Sequence, residues 1–446
     1  MRISQLIRRN LTLIFTVVII AFAFLTRIAR LSFPSVYYFD EVYHAFTART
    51  YLHNDPKGYE FWQTPPAGVA YEWTHPPLAK LMMAGSMAAF GENSFGWRIS
   101  SVVLGTGVII FIGYLAQLLF RKKEVTLLSM TIASLDNLLL TMSRIAMNDM
   151  HFLCFGLMSL CCYVKFKQTY LQPKPNLKRA VLWLFVTAML LALSLASKWT
   201  ALYLGAGIAI DFFFTHLHRL KAPPLRIILG CIVAGAMIPL LYLATYGQFF
   251  LQGHTFEQFV ETTQQMWWYH TNLKATHPYQ SVPWQWILDI RPVWMHVDYS
   301  KYGQGLIANI YNTDNPLLLW TGLAITLFFV VTIVLNATGV WKNTLFSKKE
   351  QQPLLFCLLF YFILWLPWIV SPRIMFFYHY APAIPFLTIL MAVGLGKLWE
   401  KGKKAWVYGV LGLFLICFIA IYPLNTGIFM PLSYTKTIFH FIPTWQ

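Results

Sequence analysis

The chain has 446 residues, of which 57% are hydrophobic and 11% are charged. A soluble domain has about a quarter of its residues charged, so this composition excludes an ordinary water-soluble protein. The formal net charge is +17, but the Lys and Arg residues occur in short clusters between apolar stretches. This distribution argues against nucleic-acid binding and is typical of the cytoplasmic loops of membrane proteins.

Apolar stretches about as long as a membrane span recur along the whole chain. A span needs roughly 20 apolar residues. Placing every basic cluster on the cytoplasmic side predicts eleven spans, with the N-terminus inside and the C-terminus outside. The spans lie near residues 11–30, 97–119, 125–142, 150–166, 180–197, 200–217, 226–246, 316–340, 353–370, 380–397 and 406–422. The sequence therefore predicts an all-α polytopic membrane protein that forms one domain over residues 1–446.

Two long loops, residues 31–96 and 247–315, fall on the outer side in this topology. Both are rich in Trp, Tyr and Pro, which suits segments resting at a headgroup boundary. The segment 78–90 is apolar but short for a span, so it is predicted to be a helix lying at the interface. Because the cytoplasmic connections are short and basic, we expect the chemistry at the outer face.

The first long loop contains two adjacent carboxylates, Asp40 and Glu41. In one interpretation, Asp40 caps a helix that begins at Glu41, since Asp is a favoured N-cap and an acid suits the first turn. In the other, one carboxylate accepts a proton from an acceptor hydroxyl, while its neighbour orients the substrate or adjusts the pKa. The two interpretations are compatible, and the sequence leaves both open.

A second group of ionisable residues, Glu72, His75 and Lys80, surrounds two prolines. Prolines at a helix entry are ordinary, so the group fits interfacial anchoring as well as contact with a substrate. His44 shares this loop, but no tight spacing of metal ligands is present and no metal is predicted. The chain also has no glycine-rich phosphate loop, which argues against direct use of ATP or of a nucleotide sugar.

Arginines near the outer ends of the spans form a third group. They are Arg27, Arg98, Arg144, Arg291 and Arg373. Snorkelling to headgroups explains some of them. A sugar-phosphate donor would require such groups, because guanidinium binds phosphate bidentately and stabilises the charge left when the glycosyl bond breaks. Asp149 lies in the same polar turn as Arg144, and His379 follows Arg373, so both are candidates for substrate contact.

Seven short motifs follow one another along the chain. They are Phe39-Asp40-Glu41, His75-Pro76-Pro77-Leu78-x-Lys80, Phe95-Gly96-Trp97-Arg98, Ser143-Arg144 with Asp149, Ser197-Lys198-Trp199-Thr200, Asp289-x-Arg291-Pro292 and Tyr378-His379-Tyr380. In this order and topology they resemble the protein O-mannosyltransferases, polytopic GT-C class enzymes that use dolichyl- or polyprenyl-phosphate-mannose.

The resemblance implies a GT-C fold with about eleven spans and Asp40 as the catalytic base, with Glu41 essential beside it. Together with the arginine pattern, it predicts donor-phosphate contacts from Arg27, Arg98, Arg144 and Arg373. Substrate contacts are predicted for Glu72, His75, Lys80, Asp149, Arg291 and His379. Eukaryotic members insert a soluble domain before the eighth span, and residues 247–315 are too few to hold one. A bacterial-type member is therefore indicated, in the inner membrane with its active site on the periplasmic or extracellular side.

The predicted reaction is an inverting transfer of mannose from polyprenyl-phosphate-mannose to Ser or Thr hydroxyls of proteins, with no cofactor. The expected partners are the lipid bilayer, the lipid-linked sugar and a protein acceptor, which can arrive during secretion. Pairing with a second chain is left open. One alternative is a transferase that moves another lipid-linked sugar to a lipid or glycan. A second is a transporter, which would concentrate ionisable residues near the bilayer midplane. Here Asp136 is the chief residue of that kind.

Overall fold

The structure is a computed structural model that describes residues 2–217, 223–340, 346–439 and 442–445. Its α-helices are α1 (Arg2–Ile28), α2 (Glu41–Leu52), α3 (Leu78–Phe90), α4 (Ser94–Phe120), α5 (Lys123–Ser134), α6 (Asn137–Met142), α7 (Asp149–Tyr170), α8 (Leu177–Leu195), α9 (Ala201–Leu217), α10 (Leu225–Ala244), α11 (Gly247–Leu251), α12 (Phe256–Asn272), α13 (Pro283–Trp286), α14 (Pro316–Ala337), α15 (Lys348–Trp365), α16 (Ile384–Glu400), α17 (Lys404–Thr426) and α18 (Leu432–Tyr434). The strands are β1 (Val293–Asp298), β2 (Leu306–Asn312) and β3 (Met430–Pro431). Short 3₁₀ turns cover Pro56–Tyr59, Tyr302–Gln304, Leu366–Val370, Phe377–Ala383 and Pro443–Trp445, and a π-helical turn covers Thr435–Phe439.

Within the described ranges, nine helical segments are long and apolar enough to cross a membrane. They coincide with nine of the eleven predicted spans, all except 125–142 and 200–217. The multi-pass membrane architecture is therefore confirmed. The total of eleven spans stays a prediction.

The predicted span 125–142 is not one continuous helix, because the chain breaks between α5 and α6. Asp136 Oδ1 accepts a hydrogen bond from the backbone N–H of Leu139 at 2.7 Å, and Asp314 Oδ1 accepts one from Asn137 at 2.8 Å. These carboxylates bind N–H groups that the first turn of a helix leaves free. Asp136, which the sequence singled out as an acid inside the third predicted span, thus serves as a helix cap.

Two other helices are short for a crossing. α9 covers the predicted span 200–217 with 17 residues, and α3 has 13 residues at the segment 78–90. A crossing needs roughly 20 residues. The length of α3 agrees with the predicted interfacial helix, and its position relative to the bilayer stays a prediction.

Helices α7 and α16 form the core of the bundle. α7 packs against α4 and α8, and α16 packs against α5, α14 and α15. In the apolar 18-residue window of the segment Phe377–Glu400, which contains α16, 83% of the residues are buried, against 11% for the corresponding window of Asn10–Ile28 in α1. The exposed side chains of α1 include Leu13, Val17 and Leu25. An apolar face of this kind suits contact with lipid.

The second long loop, 247–315, contains secondary structure that the sequence did not predict. β1 pairs antiparallel with β2, with Val293 opposite Asn312, and β3 pairs with the other edge of β2. A β-bulge lies between Trp294 and His296. The helical protein therefore carries a small three-stranded sheet. Its strands β1 and β2 lie in this aromatic-rich loop, and β3 follows α17.

Charged groups gather at both ends of the bundle. Near the start of α4, Arg98 pairs with Glu41, and just beyond its end Lys122 pairs with Glu350 at 2.7 Å. At 1.5 Å per residue, these two ends of α4 are about 35 Å apart. The polar residues that the sequence singled out for chemistry lie mostly at the Arg98 end.

Candidate active site

Asp40 occupies the N-cap position of α2, but its side chain makes no capping hydrogen bond. Its Oδ2 instead accepts a hydrogen bond from the hydroxyl of Tyr378 at 3.4 Å. The residue is partly exposed. The capping interpretation therefore does not account for this side chain, which is accessible to a substrate.

The surroundings of Asp40 raise its pKa to about 7. Burial of the carboxyl among protein atoms is the main cause, and the carboxylates of Glu72 and Asp149 add to it. Lys198 and the hydroxyl of Tyr378 act in the opposite direction. A carboxylate with a pKa near neutrality is a stronger base than an ordinary aspartate; it is about half ionised at pH 7 and largely ionised at higher pH.

Glu41, the next residue, is fully buried. Its two carboxylate oxygens accept hydrogen bonds from Arg98 Nε at 2.7 Å and Nη2 at 2.8 Å. It also accepts hydrogen bonds from Trp97 Nε1 and from the backbone N–H groups of Tyr38 and Ala146. These five contacts fix the start of α2 against α4 and the turn before α7.

Arg98 is also fully buried, and all five of its N–H donors are occupied. Two donate to Glu41, and the others donate to the backbone carbonyls of Leu31, Pro34 and Val36 at 2.8 to 3.1 Å. A guanidinium has five donors, so none is left for a phosphate in this arrangement. The predicted phosphate contact of Arg98 is untested, and the geometry favours a positioning role.

Arg27 and Arg144 lie buried at the end of α1. Arg27 Nε donates to Ser143 Oγ at 3.1 Å, and Arg144 Nη1 donates to the carbonyls of Arg27 and Ala29 at 2.6 and 2.7 Å. Arg144 therefore satisfies free carbonyls at a helix C-terminus. Nη2 of Arg27 has no partner among the described residues.

Arg373 and Arg291 are the more accessible arginines. Arg373 is partly exposed and contacts His270 Nδ1 through Nη1. It belongs to the group around Asp40, since its charge opposes the rise in the pKa of Tyr378, whose hydroxyl donates to Asp40. Arg291 lies exposed on the second long loop, where Nε donates to the carbonyl of Pro278 at 2.8 Å. Its predicted substrate contact stays a prediction.

The loop before α3 is held by an internal network. Glu72 Oε1 contacts His75 Nδ1 at 2.9 Å and accepts a hydrogen bond from Thr74 at 2.5 Å, and Lys80 Nζ donates to the carbonyls of Glu72 and His75. Burial alone would raise the pKa of Glu72, but His75, His44 and Lys80 hold it well below its usual range. Lys80 is buried and fixes the backbone, so it is placed to support the loop.

His44 brings α2 next to this loop. One ligand atom from each of His44, Glu72 and His75 lies within 4.8 Å of the others, so the three could hold a metal ion. Burial lowers the pKa of His44 to about 4. The distance in sequence hid this cluster, which forms because Glu72 N donates to Thr47 Oγ1 of α2 at 2.7 Å. The prediction that no metal binds is untested.

Lys198 is a functional candidate that sequence reasoning did not assign. Its Nζ pairs with Asp149 Oδ1 at 2.8 Å and lies 5.9 Å from the ring centre of Tyr378. The residue sits between α8 and α9. A lysine between two apolar helices was the available signal, because an ionisable group there is costly without a function or partner.

His379 is buried among aromatic rings. Its ring centre lies 4.7 Å from that of Trp368, 6.1 Å from that of Trp286 and 4.6 Å from that of Tyr378. Its Nδ1 lies 3.2 Å from the backbone N–H of Phe376. The neighbouring Tyr378, and not His379, reaches Asp40. The predicted substrate contact of His379 stays a prediction.

The predicted residues therefore fall into separate groups. Those brought together around the accessible carboxylate are Asp40, Glu72, His75, Asp149 and Arg373, with Lys198 and Tyr378 added. Those that lie in buried supporting contacts are Glu41, Arg98, Arg27, Arg144, Lys80 and His379. Arg291 is at the surface. The group around Asp40 combines one candidate base with two candidate cations.

Two family models match almost the whole chain. A model described as dolichyl-phosphate-mannose-protein mannosyltransferase matches residues 17–243, and one described as the C-terminal four TMM region of protein-O-mannosyltransferase matches residues 255–440. The chain belongs to the protein O-mannosyltransferase family. The resemblance inferred from the motifs is thereby confirmed.

Relatives and solved structures agree with this family. The polyprenol-phosphate-mannose–protein mannosyltransferase of Mycolicibacterium smegmatis is 25% identical, over 97% of this chain and 92% of the relative. The structure of the Saccharomyces cerevisiae Pmt1-Pmt2 complex bound to the sugar donor superposes with a TM-score of 0.79 at 13% identity, covering 96% of this chain and 92% of that chain. ArnT from Cupriavidus metallidurans bound to undecaprenyl phosphate gives 0.56 at 13% identity, covering 98% and 76%. The GT-C fold is therefore confirmed.

Proposed function

We propose that this protein transfers mannose from polyprenyl-phosphate-mannose to Ser or Thr hydroxyls of proteins. The observation that carries the proposal is Asp40, a partly exposed carboxylate with one weak hydrogen bond and a pKa raised to about 7. Family membership and the name of the mycobacterial relative support the donor and the protein acceptor.

The proposed reaction is a single displacement with inversion. The acceptor oxygen forms a bond to the anomeric carbon as the bond from that carbon to the phosphate oxygen breaks. The hydroxyl proton passes to Asp40, and polyprenyl phosphate leaves with the bonding electron pair. A hydroxyl needs a base because it is a poor nucleophile, whereas phosphate needs cationic stabilisation and no general acid.

We propose that Arg373 and Lys198 bind the departing phosphate. Among the four arginines predicted for this role, Arg373 is partly exposed and the other three are buried. Lys198 lies near enough to Asp40 to influence its pKa. Glu41 and Arg98 then act as positioning residues, because their mutual contacts hold Asp40 at the start of α2.

We place the protein in a bacterial inner membrane with Asp40 on the periplasmic or extracellular side. The basic clusters support this orientation, since Lys122 and Lys397 lie at the opposite end of the bundle from Asp40, and the named mycobacterial relative is bacterial. The single domain over residues 1–446, delivery of the acceptor during secretion and pairing with a second chain stay predictions.

Transfer of another lipid-linked sugar to a lipid or glycan is the alternative. The fold is shared with ArnT, whose structure has undecaprenyl phosphate bound, so the fold alone does not select the sugar or the acceptor. The family models describe protein mannosyltransferases and favour the protein acceptor. They also argue against the transporter interpretation.

The test is transfer of labelled mannose from synthetic polyprenyl-phosphate-mannose to a Ser/Thr-rich peptide. We expect wild type to label the peptide and Asp40→Asn to reduce the rate roughly 10²- to 10⁴-fold, because the general base is lost. Asp55→Asn in the same loop is the matched control and should retain the wild-type rate, since Asn caps a helical turn as well as Asp. The side chain of Asp55 accepts the backbone N–H of Lys57.

Two outcomes would contradict parts of the proposal. Wild-type turnover in folded Asp40→Asn would remove the base from the mechanism. A folded wild-type protein that labels a lipid or glycan acceptor with another sugar, and never the peptide, would establish the alternative.

A further inference from the structure

Two histidines and a carboxylate meet beside Asp40 in an arrangement that could hold a metal ion. His44 lies in the first turns of α2, and Glu72 and His75 lie in the loop before α3. One potential ligand atom from each is within 4.8 Å of the others. Imidazole and carboxylate donors of this kind are typical of zinc sites with three protein ligands and an open fourth position.

The backbone around these ligands is fixed from several directions. Lys80 Nζ donates to the carbonyls of Glu72 and His75, and Glu72 N donates to Thr47 Oγ1. His270 Nε2 holds the carbonyl of Thr74 at 2.8 Å. Supporting contacts of this type orient the ligands of metal centres before the ion arrives.

His44 supplies a second, independent sign of a missing ligand. It is 4% exposed, and its Nδ1 is buried with no hydrogen-bond partner in the part of the chain that the structure describes. Buried polar groups are normally paired, and each exception calls for an unseen partner. The His44 and His75 rings lie 5.7 Å apart between centres, so one ion could serve both.

The local charge also permits a cation. Lys80 and Lys198 face His44, but the carboxylates of Glu72 and Asp149 face it as well, and Asp40 lies within influence of Glu72. Lys198 is already paired with Asp149. The formal charges of these five groups sum to −1 when Asp40 is ionised, so they do not repel a cation.

We propose that His44, Glu72 and His75 bind one divalent metal ion of the zinc type. The ligand atoms lie within 4.8 Å of one another, and about 3.3 Å is expected between neighbouring ligands of a tetrahedral zinc site, so small side-chain movements would complete the site. The ion joins α2 to the loop before α3 and lies beside Asp40, whose carbonyl accepts the N–H of His44 at 3.0 Å. The proposal does not depend on the sugar or the acceptor.

The experiment is a metal titration of the full chain in detergent, purified with an affinity tag that contains no histidine and stripped with a chelator. We expect one Co²⁺ per chain, with the visible absorption of a four-coordinate site, and displacement of Co²⁺ by Zn²⁺. His44→Ala should weaken Co²⁺ binding by at least about 100-fold, since loss of supporting contacts alone costs 10- to 100-fold. His53→Ala, at the exposed far end of α2, should bind as wild type does.

Thermal melting without metal checks that each variant is folded. Glu72→Gln is the second variant, because it keeps the side-chain volume and should also weaken binding. Absence of Co²⁺ and Zn²⁺ binding by folded wild type, or unchanged binding in folded His44→Ala and Glu72→Gln, would overturn the proposal. The spectrum of the bound ion decides the matter without any measurement of mannose transfer.

Discussion

The two carboxylates at the start of α2 are neighbours in sequence but lie in opposite environments. Glu41 is fully buried and receives five hydrogen bonds, two of them from Arg98. Asp40 is partly exposed and receives one from Tyr378 at 3.4 Å. Successive positions of a helix point about 100° apart, so one side chain faces α4 and the other faces the polar site. In this acidic pair, Glu41 therefore supports the structure, and Asp40 is available for chemistry.

The largest effect is expected for the stability of Glu41→Gln. Removing the carboxylate leaves the buried Arg98 charge without its counter-ion, which should lower the free energy of unfolding by about 3–5 kcal/mol. Thermal or denaturant unfolding in detergent measures it. Glu257→Gln, at an exposed position in the first turn of α12, is the control and should change stability by less than about 0.5 kcal/mol. A stable but inactive Glu41→Gln protein would instead support the direct catalytic role implied by the family resemblance.

A second comparison is between Arg373, which is partly exposed, and Arg291, which is exposed on the second long loop. Arg373→Met should lower the rate of mannose transfer roughly 10²- to 10³-fold, because a donor to the developing phosphate charge is lost. The melting temperature should stay close to that of wild type, since Arg373 is partly exposed. Arg291→Met, on the second long loop, tests the predicted substrate contact of that residue: retained activity would remove Arg291 from the site. Equal losses in both variants would show that the donor contacts the outer surface of that loop.

The smallest expected effect is a shift in the pH dependence of the mannose-transfer rate. Asp40 acts as a base only when ionised, and its pKa is raised to about 7. Activity should therefore be lost as the pH falls through about 7, roughly tenfold per unit below it, and should level off above. Tyr378 donates to the carboxylate and favours its charged form, so Tyr378→Phe should move the midpoint upward by less than about one pH unit.

The rates are measured after treatment with a chelator, so that no bound metal ion alters the pH profile. A midpoint near 4 in wild type would show that Asp40 is an ordinary carboxylate or is not the base. A downward shift in Tyr378→Phe would show that the hydroxyl favours the neutral form.

Much of the architecture could be predicted because its signals are local. Nine predicted spans correspond to long apolar helical segments in the described chain, since hydropathy over roughly 20 residues needs no knowledge of distant contacts. The break at Asp136 and the strands β1 and β2 were missed. Both depend on partners far along the chain, as when Asp314 binds the N–H of Asn137.

The sequence by itself determined the membrane class, the family and the segments that carry ionisable residues. Only the tertiary structure decided which members of those segments meet. Glu41 accepts hydrogen bonds from Arg98, which is 57 residues away, and from the N–H of Ala146, which is 105 residues away. These contacts leave Asp40 as the accessible acid. His44 likewise reaches Glu72 only because α2 packs on the next loop. Hydrophobic pattern fixes where a segment lies, whereas the pKa and accessibility of a side chain depend on neighbours that folding supplies.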